Sequence, residues 1–205
     1  MSRLGMWSAI ALFLVGVAYA LTLAVGVASA GPAKPIGDPV LAVMEVLTLL
    51  SAPLIVIMMA AVHTMAPPEY KTHSSVALAF AILVAGLTSA VHFVGLTALR
   101  QLGSAGIQWP SVLYALELLA WDVFLGLSLI FAAPVFQGGG LKRAVRVTMF
   151  GAGWLSLAGT VGPAIGDLRL QRIGILGYGA VLPVTCLLVA IVFRHSSTAR
   201  SGPPA

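Results

Sequence analysis

The sequence predicts an all-α integral membrane protein, a polytopic bundle of about six transmembrane helices. Two observations carry this prediction. Of the 205 residues, 60% are hydrophobic and only 8% are charged, whereas a soluble domain carries about 25% charged residues. The mean hydropathy is +1.04, and the apolar residues form runs of about 20, the length that crosses a bilayer as a helix. So few charges cannot cover a water-exposed surface, and we therefore expect lipid to surround most of the chain.

Six apolar runs have the required length, and short turn-forming stretches rich in Gly and Pro separate them. Because no connection is long enough to form a separate domain, residues 1–194 are predicted to form a single transmembrane domain. Residues 195–205 are rich in Ser, Gly and Pro and are predicted to be a disordered cytoplasmic tail. The predicted spans are residues 6–30, 39–62, 74–99, 111–136, 144–165 and 173–193.

The first run also has features of a secretory signal peptide. Arg3 precedes it, and Ala28-Ser29-Ala30 imitates a cleavage site at its end. Its apolar stretch is nevertheless longer than the roughly 7–15 residues usual in a signal peptide. We therefore interpret it as a true membrane span.

The charges of the chain indicate its orientation. The net charge is +5, but the basic residues are scattered over short connections and termini, without the basic face of a nucleic-acid-binding helix. Seven of the 11 Lys and Arg residues fall on the side that holds both termini. The positive-inside rule then predicts that both termini are cytoplasmic, in a bacterial-type inner (plasma) membrane. The seven are Arg3, Lys71, Lys142, Arg143, Arg146, Arg194 and Arg200.

Four ionisable residues lie within the predicted spans: Glu45, His92, Glu117 and Asp122. Each costs at least ~2.5–3.5 kcal/mol in the hydrocarbon layer. At 1.5 Å per residue, Glu45, His92 and Glu117 fall ~9–10 Å below the outer edge of the membrane, with Asp122 ~7 Å deeper. Asp122 points away from Glu117 around the helix, so we expect it to contact the fifth or sixth span.

The types of these residues limit their chemistry. Three carboxylates face one histidine, and no Lys or Arg accompanies them at their depth in the spans, so some carboxyl groups must be protonated or bind a cation. We predict an intramembrane cavity whose catalytic residues are Glu45, His92, Glu117 and Asp122. A simpler interpretation is that each group forms a hydrogen bond between helices. The predicted ligand-binding residues, which share helix faces with these groups, are Tyr114, Trp121, Thr88 and Thr48.

The sequence lacks the usual signatures of cofactor and metal sites. It contains no HExxH, P-loop or GxSxG motif and no clustered histidines. Its one cysteine, Cys186, rules out an intrachain disulfide and a CxxC site. We therefore predict neither a cofactor nor a metal.

Three functions remain open. A membrane-embedded isomerase or cyclase would use carboxylate acid/base catalysis on a lipophilic, isoprenoid- or sterol-like substrate. A proton-coupled small transporter would use the same groups to carry protons. An accessory or ligand-binding subunit of a membrane complex would need them only for packing. The expected partners are the lipid bilayer, a lipophilic or cationic small molecule, and a further membrane protein or a second copy of the chain; nucleic acid is not expected.

Overall fold

The computed structural model of this protein describes residues 2–31, 36–103 and 107–198. Within these ranges the chain is helical between short turns and contains no strand. A short helix, Val161–Ile165, lies between the fifth and sixth long helices. The six long helices are α1 (Ser2–Ala30), α2 (Val40–Met65), α3 (Pro68–Leu99), α4 (Val112–Val135), α5 (Leu141–Gly159) and α6 (Leu168–Ser196).

Five of these helices, α1 to α4 and α6, are long and apolar enough to cross a membrane. The fifth predicted span is the exception, because α5 carries Lys142, Arg143 and Arg146 among its first six residues. The sequence-based boundary had excluded two of these charges by starting the span at residue 144. In the structure the helix begins at Leu141, so the basic residues belong to its first two turns.

The fifth predicted span also ends earlier than expected. We placed its end at residue 165, whereas α5 stops at Gly159 and the chain turns at Thr160. Pro163 has no backbone N–H to donate to the carbonyl of Gly159, four residues earlier, so the helical ladder is interrupted there. Gly166, which has a φ of +77°, then closes the turn before α6.

The last helix of the chain extends further than predicted. We expected disorder from His195, but the last helical segment continues through Thr198. Residues 199–205, the rest of the predicted tail, lie outside the described residues, as do residues 32–35 and 104–106 in two of the connections.

The six helices form a closed ring. Each long helix packs against the next one along the chain, and α1 also packs against α6. Because short connections join neighbouring helices, successive helices run in opposite directions. One end of the bundle therefore contains the start of α1, α3 and α5 and the end of α2, α4 and α6.

The buried hydrophobic core lies at that end of the bundle, which we call the apolar half. It combines the first part of α1, α3 and α5 with the last part of α2, α4 and α6. Met59, Leu129, Met149 and Phe193 are among its largest fully buried side chains. The six helices are thus held together at this end by close packing of apolar side chains.

The opposite end, which we call the polar half, contains every buried ionisable side chain among the described residues apart from Cys186. Buried acids and amides are unusual in any core and require hydrogen-bond partners or a function. Three π-helical segments, Gly95–Leu99, Leu119–Phe124 and Leu176–Val181, border these groups, and such segments are frequent at functional sites. The buried polar side chains of this half are Glu45, Thr48, Ser51, Thr88, His92, Asp122, Ser156 and Gln171.

The outer surface of the bundle is apolar. Large side chains such as Leu21, Ile82, Phe93, Trp154 and Val184 are between 49% and 63% exposed. A water-soluble protein seldom leaves so many of them uncovered. This surface is compatible with contact to the lipid bilayer.

Candidate functional site

A histidine and a glutamate from neighbouring helices form the centre of the polar half. His92 lies in the last part of α3, and Glu117 lies in the second turn of α4. His92 Nε2 is 2.9 Å from Glu117 Oε1, a hydrogen bond between the imidazole ring and the carboxyl group. Their side chains are only 10% and 21% exposed. The structure thus brings together two of the four predicted catalytic residues.

Four buried polar atoms near this pair have no hydrogen-bond partner within the described chain. They are Nδ1 of His92, Oε2 of Glu117, Oγ1 of Thr88 and Nε1 of Trp121. Thr88 precedes His92 by four residues on α3, and Trp121 follows Glu117 by four on α4, so each couple shares one helix face. In folded proteins most buried polar atoms are satisfied. The four unpartnered atoms lie on two packed helices, α3 and α4, and each could form a hydrogen bond with a bound molecule.

Glu45, another of the predicted catalytic residues, is paired with a cation. We expected no Lys or Arg near the carboxylates, but Arg100, the residue that follows α3, turns back towards α2. Its guanidinium donates from Nη1 to Glu45 Oε2 at 2.6 Å and to the Gly95 carbonyl at 2.6 Å. The long arginine side chain lets a residue at the helix end reach a buried carboxylate. Glu45 is therefore held in an ion pair and is separate from the His92–Glu117 pair.

Arg100 also binds the connection that precedes α2. Its Nε and Nη2 donate to the two carboxylate oxygens of Asp38 at 3.0 and 2.9 Å. Hydrogen bonds from Arg100 lower the pKa of Asp38 below 3.8, and those to Asp38 and Glu45 raise the pKa of Arg100. The bidentate geometry is typical of strong arginine–carboxylate pairs. One cation thus ties together α2, α3 and the connection between α1 and α2.

Asp122 belongs to a second polar cluster on the other side of α4. As expected from its helical position, it contacts the last two helices: Gln171 on α6 donates from Nε2 to Asp122 Oδ2 at 3.3 Å. The same nitrogen donates to Tyr178 Oη at 2.9 Å. Asp122 is 0% exposed. It is thus grouped with Gln171 and Tyr178 and not with His92.

The two clusters meet at an aromatic contact. The ring of Trp121 lies 5.6 Å from that of Tyr178 between centroids, in a tilted arrangement. The Trp121 ring thus packs against Tyr178 in the second cluster. On α4, Trp121 lies one turn after Glu117 and on the same side of the helix. Tyr114, one turn before Glu117 on the same helix, is half-buried and packs edge-on against Trp109 at 5.9 Å.

Thr48 differs from the other predicted ligand-binding residues. Its hydroxyl donates to the Met44 carbonyl of its own helix at 2.9 Å, and its own carbonyl accepts from Ser51 at 2.6 Å. Its polar atoms are thus engaged within α2. Thr88 and Trp121, in contrast, keep their side-chain polar atoms unpartnered.

Sequence reasoning missed Arg100, Gln171 and Tyr178. Arg100 follows an apolar run, which predicts a connection there, and its two carboxylate partners, Asp38 and Glu45, lie 62 and 55 positions earlier in the sequence. Gln171 belonged to a polar stretch that we read as a turn. The available signal was the excess of buried carboxylates, which called for a counter-ion or donors somewhere in the chain.

The arrangement around the pair is unlike a metal site. No three His, Cys, Asp or Glu side chains in the described part of the chain come together in a group that could hold a metal ion. A groove of about 310 Å³ is present elsewhere, between the end of α1 and the start of α2. Apolar atoms form most of it, and no predicted site residue lines it. Its lining residues are Leu21, Thr22, Val25, Pro39, Val40 and Val43.

Comparisons with known proteins add no relative to these observations: no protein-family model, no curated protein and no solved structure matches this chain.

Proposed function

We propose that this protein is a membrane-embedded acid/base enzyme of the isomerase or cyclase type, acting on a lipophilic, isoprenoid- or sterol-like molecule. The observation that supports this most is the part-buried His92–Glu117 hydrogen bond with an unpartnered polar atom on each residue. An acid and a base are held together in a low-dielectric environment, where bulk water does not compete with them as a proton donor or acceptor. The apolar outer surface would admit a lipophilic substrate from the bilayer.

The proposed reaction moves one proton in each direction and consumes nothing. The protonated carboxyl of Glu117 donates a proton from Oε2 to one carbon of a substrate double bond, which leaves a carbocation. His92 accepts a proton at Nδ1 from a neighbouring carbon, so that the double bond forms in a new position. His92 then carries an extra proton and Glu117 a negative charge. Transfer of the Nε2 proton to Glu117 Oε1 across the 2.9 Å hydrogen bond makes both groups neutral again, with the imidazole proton on Nδ1 and the carboxyl proton on Oε1. Exchange of these two protons with water returns them to Nε2 and Oε2 for the next turnover.

The neighbouring residues have supporting roles in this proposal. The aromatic faces of Trp121 and Tyr114 would stabilise the positive charge of the intermediate. Thr88 Oγ1 and Trp121 Nε1, both buried and unpartnered, would bind a polar group of the substrate such as a hydroxyl. Glu45, which is paired with Arg100, would keep the outer ends of α2 and α3 together and would not transfer protons.

The topology proposed with this function has six spans and two cytoplasmic termini in a bacterial-type inner membrane. In this topology α5 crosses the membrane in addition to the five longer apolar helices, with Lys142, Arg143 and Arg146 at the cytoplasmic surface. Its 19 residues, at about 1.5 Å each, nearly match the ~30 Å hydrocarbon layer, provided that the long side chains of the three basic residues extend back to the membrane surface. The polar half then faces the outer leaflet. Single cysteines at residues 3, 71 and 167 in a Cys186→Ala background, labelled with an impermeant maleimide, would test this orientation.

Deuterium incorporation tests the reaction for a substrate of unknown structure. The purified protein in lipid vesicles is incubated in deuterated water with an apolar lipid extract, and the products are analysed by mass spectrometry. We expect at least one isoprenoid- or sterol-like component to gain deuterium or to change its double-bond position. Glu117→Gln and His92→Gln should each abolish the change, because one supplies the proton and the other removes it.

The matched control is Glu69→Gln, the same substitution at an exposed residue in the first turn of α3, which should retain full activity. Incorporation that persists in both site variants would contradict the mechanism. A component that co-purifies with the wild type but never exchanges would favour the ligand-binding alternative. Flux of protons or solute across the vesicle membrane without lipid chemistry would favour a transporter.

A further inference from the structure

Asp122 is a buried carboxyl group to which the proposed reaction assigns no role. Its exposed fraction is 0%, and none of the ion pairs in the described part of the chain includes it. The basic residues of α5 lie at the opposite end of that helix. An isolated charge in such a place is so unfavourable that a carboxyl group normally takes up a proton.

The surroundings of Asp122 offer a hydrogen-bond acceptor to a proton on only one of its two carboxyl oxygens. Its Oδ1 atom has no hydrogen-bond partner and lies in a notch between the glycine backbones of α5 and α6. A Cβ atom added to Gly174 would collide with Oδ1, and one added to Gly159 would lie 3.2 Å from it. A proton on Oδ1 would thus face glycine backbone. A proton on Oδ2 would face the amide end of Gln171.

The orientation of the Gln171 side-chain amide depends on whether Asp122 is charged. One atom of its amide group lies between Asp122 Oδ2 and Tyr178 Oη, at 3.3 and 2.9 Å. With nitrogen in that position, both oxygens accept, which suits an ionised carboxylate. With oxygen there, both Asp122 and Tyr178 donate, which suits a neutral carboxylic acid. Since the two ends of an amide group differ only in donor and acceptor character, a half-turn of the side chain exchanges the two arrangements.

We propose that Asp122 is a proton-binding site separate from the His92–Glu117 pair, with Gln171 turning its amide group as the proton arrives or leaves. At neutral pH Asp122 is a neutral acid that donates to Gln171 Oε1, together with Tyr178 Oη. Loss of the proton turns the amide nitrogen towards both oxygens. Because Tyr178 packs against Trp121, the protonation of Asp122 also alters the environment of that indole ring.

The titratable groups around Asp122 are few. On its own helix they are Glu117 and Tyr114, and on α6 Tyr178; His92 lies across α4 on α3. From α5 the residue next to Asp122 Oδ1 is Gly159, which does not titrate. Glu117 is the nearby group whose negative charge would further favour the neutral form of Asp122, since like charges repel. The two sites are therefore expected to influence each other without sharing a proton.

Infrared spectroscopy of the whole protein in lipid vesicles tests this site. The chain contains three aspartates, Asp38, Asp122 and Asp167, so aspartate labelled with carbon-13 in its side-chain carboxyl identifies their bands. At neutral pH we expect one carbonyl band of a protonated aspartic acid that shifts with the label. It should be lost in Asp122→Asn and retained in Asp38→Asn, Asp167→Asn and Glu117→Gln. Absence of the band from the wild type, or its survival in Asp122→Asn, would refute the proposal.

Two further measurements keep the test decisive if Asp122→Asn does not fold. Loss of the band in Asp38→Asn or Asp167→Asn, with the wild type as reference, would assign the proton elsewhere and overturn the proposal. In Tyr178→Phe the band should remain but shift, since the amide oxygen then accepts from Asp122 alone; an unchanged band would contradict the arrangement. This site does not depend on the proposed enzyme activity, and Glu117→Gln separates the two: it should abolish turnover while leaving the Asp122 band.

Discussion

His92 and Glu117 lie on consecutive helices, and their 2.9 Å hydrogen bond leaves one buried polar atom on each residue without a partner. A pair kept only for stability would be expected to satisfy both groups, because each unpartnered buried atom opposes folding by about 1–3 kcal/mol. These two unpartnered atoms are the observation on which the proposed substrate site rests.

Replacing both members of the pair by apolar residues should separate stability from function. We expect His92→Phe/Glu117→Met to be as stable as the wild type or more so, because buried polar pairs replaced by apolar side chains are often neutral or stabilising. Each single substitution should be less stable than the double one, since it leaves the other polar group alone. Thermal unfolding in detergent measures this, and the deuterium assay should show no activity in the double variant. A double variant less stable than either single one would indicate a structural pair.

Arg100 should be essential to the stability of the polar half of the bundle. Arg100→Gln leaves Glu45, whose side chain is 4% exposed, as a buried charge without its cation. Breaking a buried ion pair in this way costs about 3–5 kcal/mol, and a large fall in the unfolding temperature is expected. Glu45→Gln combined with Arg100→Gln should recover part of it. If the double variant falls by the sum of the two single losses, the pair contributes no coupling energy.

The Asp38–Arg100 pair should make stability depend on acidic pH. Hydrogen bonds from Arg100 lower the pKa of Asp38 in the folded state below its ordinary value of 3.8. The stabilisation is therefore complete above pH 3.8, decreases as the pH falls below that value, and is lost below the folded-state pKa. Unfolding temperatures measured from neutral to acidic pH should show this decrease in the wild type. In Asp38→Asn the decrease should be smaller; an identical profile would exclude Asp38 as its source.

The glycine notch around Asp122 should not tolerate a side chain. Gly174→Ala should destabilise the protein, because its Cβ would collide with Asp122 Oδ1. Gly86→Ala on α3, where no atom lies within 4 Å, is the matched control. It should be neutral or slightly stabilising, since alanine favours helix by about 1 kcal/mol over glycine.

A second substitution distinguishes this collision from a general defect. Asp122→Ala removes the atom that the new methyl group meets, so Asp122→Ala/Gly174→Ala should be more stable than Gly174→Ala alone. Thermal unfolding of the four variants provides the comparison. No recovery in the double variant would mean that the Gly159 backbone, 3.3 Å from the added Cβ, determines the loss.

The sequence by itself determined the helical class and the positions of most spans. Apolar runs long enough for a bilayer can form only a few structures, because every backbone polar group must be paired within the segment. Five predicted spans accordingly correspond to long apolar helices. It also identified the buried Glu45, His92 and Asp122, since ionisable residues in such runs are recognisable without a structure.

Only the tertiary structure decided which of these groups meet. Helix periodicity gives the face of a residue but not the rotation of one helix against another. The sequence therefore placed Asp122 and Glu117 on different faces of α4 but could not identify Gln171 and His92 as their partners. It also could not show that Arg100 reaches back to Glu45, because the reach of a long side chain depends on where α2 and α3 lie. The division of the core into an apolar and a polar half follows from the same cause: six helices of alternating direction bring distant stretches of sequence to one end.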